Sequence, residues 1–193
     1  MLKRVTYYMV ECDYPHETDA QRKAFDKFYW DHVSMLLTIP GFLNAQCFHC
    51  DQPVKAPFLA LYQLAGPEVM TSCQYTSKAG RMSVDPNFRS NMINWDRNLV
   101  QGPEGMPELD LATEMESVLT LIDRCNIDAP PLPVGFTPLT VVGLDRTIAE
   151  RGVTVGATKF AKIHPDWEVR RWQPIHYVRT PTTQHSMCVR KYF

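Results

Sequence analysis

The chain has 193 residues and a formal net charge of −1, from 20 Lys and Arg against 21 Asp and Glu. That balance supplies no long-range attraction to nucleic acid or to an anionic membrane surface. Hydrophobic residues at 45% and charged residues at 21% fit a globular protein that buries a real core, in one domain or two small ones. No apolar run reaches the ~18 residues a membrane span needs. The polar start MLKRVTYYMVEC lacks the pattern of a secretory signal. The expectation is a cytoplasmic protein with no nucleic-acid and no membrane partner. Cysteines at 12, 47, 50, 73, 125 and 188 are too scattered for a compact disulfide framework and read as reduced thiols. The basic pairs Lys3-Arg4, Arg170-Arg171 and Arg190-Lys191 read as solvated surface.

Arg4 to Cys12 (RVTYYMVEC) is β-branched and aromatic and predicts a strand, ended by Asp13-Tyr14-Pro15-His16. Thr18 and Gln21 form a capping-box pair, and Pro40-Gly41 stops the helix that follows. Within Thr18 to Gly41, Phe25, Phe28, Tyr29, Met35, Leu36 and Ile39 recur at helical spacing on one side. His32 falls on that same side, an imidazole in the middle of an apolar stripe. Strands follow at Phe42 to Cys50 and at Phe58 to Leu64. Pro67 opens a helix over Glu68 to Lys78, closed by Gly80, and Met92 to Val100 is a fourth strand. The order β-α-β-β-α-β is a ferredoxin-like split unit.

Gln101 to Pro107 (QGPEGMP) is the clearest linker, so the chain divides into units 1–101 and 108–193. In the second, Ser117 to Asp123 predicts a strand and Ala129 to Pro133 an extended connection. Thr137-Pro138 and Gly152 allow a helix over Pro138 to Arg151; Thr140-Val141-Val142 favours a strand, and the sequence leaves both open. Val153 to Ile163 and Pro174 to Thr180 read as strands. A faint echo aligns Gly41-Phe42…Ala45…Phe48 with Gly152-Val153…Ala157…Phe160, consistent with two diverged copies of one unit.

Several side chains carry possible chemistry. An imidazole titrates near neutrality, and partial burial among aromatic rings favours its neutral, basic form. His32 is therefore a candidate general base. Strand alternation puts Phe58, Ala60, Tyr62 and Leu64 on one face, so Tyr62 can place a hydroxyl in a pocket roofed by the helix. On the preceding strand Phe42, Asn44, Gln46 and Phe48 share a face, and Asn44 or Gln46 is a candidate for orienting a substrate carbonyl. Phe28, Tyr29 and Leu36 are candidate pocket walls, with Trp95 from the fourth strand and His176 from a late one. Cys47 and Cys50 are three apart on a strand and point to opposite faces, which does not suit one metal ion. No metal site is expected. Absent a Gly-rich phosphate loop or a Gly-x-Ser-x-Gly elbow, nucleotide-driven chemistry and serine hydrolysis are not indicated.

The run Phe28-Tyr29-Trp30-Asp31-His32-Val33-Ser34-Met35-Leu36-Leu37-Thr38-Ile39-Pro40-Gly41-Phe42 resembles the signature of EthD-like proteins of the dimeric α/β-barrel superfamily. The resemblance covers about residues 4 to 80. It implies an α+β fold in which two ferredoxin-like units pair antiparallel sheets into a barrel with helices on the outer face. It also implies a homodimer and a functional role for His32. The superfamily holds muconolactone isomerases, polyketide cyclases, cofactor-free monooxygenases and haem-dependent enzymes. The leading expectation is an enzyme with no bound cofactor, of lyase, isomerase or cyclase type, acting on a small aromatic or apolar oxygenated metabolite. The alternatives are a cofactor-free or haem-assisted monooxygenase, and a non-catalytic small-molecule-binding protein. No acid–His pair precedes Gly152, so one site per chain is expected.

Overall fold

The computed structural model describes residues 4–79, 84–109, 118–124, 126, 128–145, 147–148, 150–156, 164–176 and 178–181. The first half runs β1 (Thr6–Asp13), α1 (Asp19–Leu36), β2 (Phe42–His49), β3 (Phe58–Leu64), a 3₁₀ turn (Pro67–Thr71), α2 (Cys73–Lys78), α3 (Pro86–Arg89) and β4 (Ile93–Gln101). The second half contributes β5 (Leu119–Arg124), β6 (Thr137–Leu144), β7 (Glu150–Val155) and β8 (Trp167–Pro174). All ladders are antiparallel, and the eight strands close into a barrel in the order β1-β3-β2-β8-β5-β7-β6-β4. The two halves follow one pattern, β4-β1-β3-β2 in the first and β8-β5-β7-β6 in the second, joined at the β2–β8 and β4–β6 seams. Among the described residues no helix is long and apolar enough to cross a membrane.

The pleat sorts the side chains. From β1, Tyr8, Val10 and Cys12 point outward to α1, whereas Tyr7 and Met9 point into the barrel. α1 starts at the expected capping box: the Thr18 hydroxyl accepts from the Gln21 amide at 3.2 Å, and the Gln21 side chain accepts from the Thr18 amide at 3.1 Å, a device that stabilises a helix start by about 1 kcal/mol. Its buried residues Phe25, Tyr29, Val33 and Leu36 pack on the outward side of β3. Gly41 turns the chain from α1 into β2 with φ +95°, and a Cβ there would lie 2.5 Å from Val69 Cγ2. Gly41→Ala is thus opposed twice, by the left-handed backbone and by the 3₁₀ turn. A loss of about 2 kcal/mol, seen as a fall of several degrees in thermal midpoint, is expected.

The barrel interior holds a charged cluster that no sequence pattern announces. Glu11, Asp123, Arg151 and Arg170 are at most 6% exposed. Arg151 grips Asp123 through Nε at 2.7 Å and Nη2 at 3.0 Å and meets Glu11 at 2.8 Å. Arg170 bonds both carboxylates. Burial pushes the Asp123 carboxyl up, but the Arg151 and Arg170 charges and bonds outweigh it and hold the carboxyl below its ordinary value. The expectation that Arg170-Arg171 is a solvated patch is corrected here: on a strand the pair splits, Arg171 to solvent and Arg170 into the barrel.

Other expectations in the second half shift as well. Pro138 to Arg151 is no helix. It holds most of β6, a connection and the start of β7, with Leu139 buried in the barrel opposite Arg151. The strand expected over Val153 to Ile163 is β7, which ends at Val155; residues 157–163 lie outside the described residues. The strand expected over Pro174 to Thr180 is displaced, because β8 ends at Pro174 and only an isolated Ala45–Arg179 bridge lies beyond it among the described residues. Gly152 sits inside β7 rather than before a strand, so the echo of Gly41 is not a structural correspondence. No described helix covers the outer side of β5 and β7. Leu132 and Phe136 lie there instead, so close that a Cβ on Gly152 would come within 3.0 and 3.1 Å of them. Arg124 Nε donates to the Ala129 carbonyl at 2.8 Å and Trp167 Nε1 to the Pro130 carbonyl at 3.1 Å, fixing this Pro-rich loop.

Candidate functional site

α1 and the outward faces of β1, β3 and β4 line a small cavity of about 20 Å³ that opens to solvent. Tyr8 and Val10 come from β1, Ala60 and Tyr62 from β3, Trp95 from β4, and Phe28, Tyr29, His32 and Leu36 from α1; Tyr75, Val84 and Met92 complete the wall. Apart from His32, no lining residue carries a carboxylate or a basic side chain. That space holds little more than a water molecule, so a ring-sized guest must displace side chains to seat itself.

His32 is half-buried, one turn along α1 from Phe28, whose ring centroid is 5.7 Å away. No described residue hydrogen-bonds either ring nitrogen. A histidine retained for core structure would have both nitrogens satisfied. Burial lowers its pKa below the ordinary 6.5, because an imidazolium there would lose hydration without gaining a partner. The neutral imidazole is the form a general base needs.

The floor is phenolic. Tyr8 lies opposite Tyr62 across the β1–β3 ladder, and their rings stack at 5.6 Å. The Tyr75 ring stands edge-on to Tyr8 at 6.4 Å. Burial drives the Tyr8, Tyr29 and Tyr62 hydroxyls well above the ordinary tyrosine value, so they stay protonated and available as donors. The Tyr29 hydroxyl is fully buried and has no hydrogen-bond partner.

Six of the residues singled out from the sequence thus line one cavity: Phe28, Tyr29, His32, Leu36, Tyr62 and Trp95. Asn44, Gln46 and His176 do not. A bulge between Phe42 and Asn44 breaks the assumed alternation. Phe42 turns outward to Tyr62 and Tyr75, while Asn44 faces the other way and donates to Gln63 at 2.6 Å. His176 lies past the end of β8, edge-on to Trp30 at 5.1 Å, with its carbonyl accepting from Gln46 at 3.0 Å. In the same segment Arg179 stacks on Trp30 at 3.7 Å and donates to the Trp30 carbonyl at 3.0 Å and to Ser34 Oγ at 2.5 Å. This segment straps α1 to β2 on a side of the helix that the cavity does not use. The remaining wall residues escape sequence reasoning for different reasons. Tyr8 is readable as the cross-strand neighbour of Tyr62, whereas Val84 and Met92 sit in a stretch with no periodic signal. Cys47 and Cys50 do point to opposite sides, one to the helix layer and one into the barrel.

The strand order invites comparison with solved structures. An anthrone oxidase-like protein superposes with a TM-score of 0.58 at 11% identity, over 97% of each chain. The eight-stranded antiparallel barrel of this chain fits a dimeric α/β-barrel-like fold. A candidate monooxygenase from Lactobacillus acidophilus NCFM gives a TM-score of 0.50 at 9% identity, over 93% of this chain and 97% of the other. No family model matches the sequence, and no curated protein does. Identities this low carry the fold alone.

Proposed function

We propose that the chain is a cofactor-independent oxygenase acting on a small, neutral aromatic substrate, with His32 as general base. The carrying observation is an unpartnered, neutral imidazole in a cavity otherwise walled by aromatic, apolar and phenolic side chains. This reading takes the place of the lyase or isomerase expectation. Both structural neighbours are named for oxygen chemistry, and an isomerase of carboxylated lactones calls for a cationic side chain that the lining lacks.

His32 takes a proton from an activated C–H, leaving a conjugated carbanion whose charge spreads onto the substrate's oxygen. That electron-rich anion passes one electron to O2, and the two radicals combine into a C–O bond as a peroxide. The imidazolium returns its proton to the peroxide, which loses water to leave a carbonyl. In sum R2CH2 + O2 gives R2CO + H2O, with dioxygen the only oxidant. The Tyr62 hydroxyl is the donor partner near the reacting ring. Burial strengthens each of these interactions by excluding water.

The repeated strand order supports reading the chain as two ferredoxin-like units, 1–101 and 108–193, fused so that one polypeptide closes the barrel. The first unit, with its EthD-like run, keeps the helix and the site. The second keeps the strands, with the Pro-rich loop against their outer side. Barrel closure then does not call for a second copy, although the homodimer implied by the resemblance is compatible with it.

Oxygen-electrode measurements with anthrone as probe test the function. One O2 consumed per anthraquinone formed is the expected result. Conversion of anthrone under argon to an isomer or cleavage product, with no enzyme-dependent O2 uptake in air, would sink the oxygenase reading in favour of lyase or isomerase chemistry.

A further inference from the structure

We infer that the hydroxyl of Tyr29, a residue of the cavity wall, buried and with no protein partner, is the subsite that receives the substrate's oxygen. The substrate then enters oxygen-first and presents its acidic C–H to His32 nearer the mouth. This rests on the oxygenase reading of the same cavity and adds to it an orientation and a substrate class.

Tyr29 is 6% exposed and its Oη touches no donor or acceptor. An unsatisfied buried hydroxyl destabilises a fold, and phenylalanine would fill the same space without that cost. Its position is also defined. The ring packs against Phe25 at 5.4 Å and edge-on to Phe58 at 6.2 Å, which fixes its place between α1 and the sheet. Burial dominates its surroundings, with Cys47, Cys12, Tyr62 and Glu11 the groups whose fields reach it there. His32 stands three residues on, one turn along the same helix face, and is half-buried rather than buried. The helix thus carries a deep donor and a shallower base side by side.

Such a pair selects a chemical class. The ligand is neutral, because no charged side chain other than a protonated His32 is there to meet an anion. It carries an acceptor oxygen at one position of a conjugated ring frame and an acidic C–H at another, as in a fused-ring aryl ketone. As the proton leaves, negative charge collects on that oxygen, where the waiting hydroxyl gains most as a donor. A site built around a buried donor discriminates strongly against an analogue lacking the oxygen, since binding it leaves the donor unsatisfied and dry.

Calorimetric binding under argon tests this without turnover, using anthrone and 9,10-dihydroanthracene, the same ring frame with CH2 in place of the carbonyl. The wild type is expected to bind anthrone at least about tenfold more tightly. Tyr29→Phe is expected to bind the two equally, while its thermal midpoint holds or rises. A Tyr29→Phe variant that keeps the wild-type preference overturns the inference, as does a wild type that binds neither or prefers neither. A fall of several degrees in Tyr29→Phe also overturns it, by revealing a structural role for the hydroxyl. Discrimination without oxygen uptake would leave the subsite standing and remove the oxygenase; oxygen uptake without discrimination would do the reverse.

Discussion

Arg151→Met is expected to lower stability by about 3–5 kcal/mol, the cost of breaking a buried ion cluster from one side. Two guanidinium and two carboxylate groups share the barrel interior and neutralise one another. Removing Arg151 leaves Glu11 and Asp123 facing one cation in a dry environment. Against a total stability of about 5–15 kcal/mol, that loss is a large fraction, and a thermal midpoint lower by about 10 °C is the expected readout. Replacing all four charged residues by apolar side chains of similar volume is expected to recover most of the loss, because no unpaired charge is then buried. The cluster also sets an acid limit. The Asp123 carboxyl is held below its ordinary value, so its contribution is complete above the unfolded carboxylate range of about 3.9. That contribution is lost as pH falls through the lower folded value. Circular dichroism melts of wild type and Arg151→Met between neutral and acid pH check both points. A melt unchanged in Arg151→Met would mean that the cluster does not hold the barrel together.

His32→Gln is expected to reduce turnover of an anthrone-type probe by about 10²–10⁴-fold, the usual contribution of a positioned base, with the thermal midpoint nearly unchanged. The small structural effect comes from the absence of any described hydrogen-bond partner to the ring. The pH profile carries a signature. A base must be unprotonated, so kcat/KM rises with pH and then levels off. Because burial lowers the His32 pKa, the midpoint of the rise is expected below the ~6.5 of a free imidazole. A midpoint above that value would point to a different base. A stability loss in His32→Gln without a loss of activity per folded molecule would make the residue a core histidine.

The part of the molecule legible in the sequence is the part with one dominant period. The stripe on α1 and the alternation of β1 and β3 bring His32, Tyr29, Phe28, Leu36 and Tyr62 to one place, because 3.6-residue and two-residue periods fix which side chains share a face. Asn44 fails for a local reason: one bulge at the start of β2 puts Phe42 out of step with the rest of the strand. His176 fails because the strand it was placed on ends two residues earlier. The charged cluster is invisible for a deeper reason. On a strand, Arg170 between Val169 and Arg171 looks like ordinary surface alternation. Only closure of the barrel puts Glu11 of the first strand beside Arg170 of the last, 159 residues apart. The second half is harder throughout, since a Pro-rich loop lies where the first half has α1, and a loop has no period to read.

Turnover of anthrone under ¹⁸O2 by the purified chain tests the central claim most directly. The oxygenase account predicts one ¹⁸O in the newly formed carbonyl of the quinone, with the second labelled atom in water, and a rate that collapses in His32→Gln. Product that carries no label, or that forms as fast in the absence of oxygen, would contradict it.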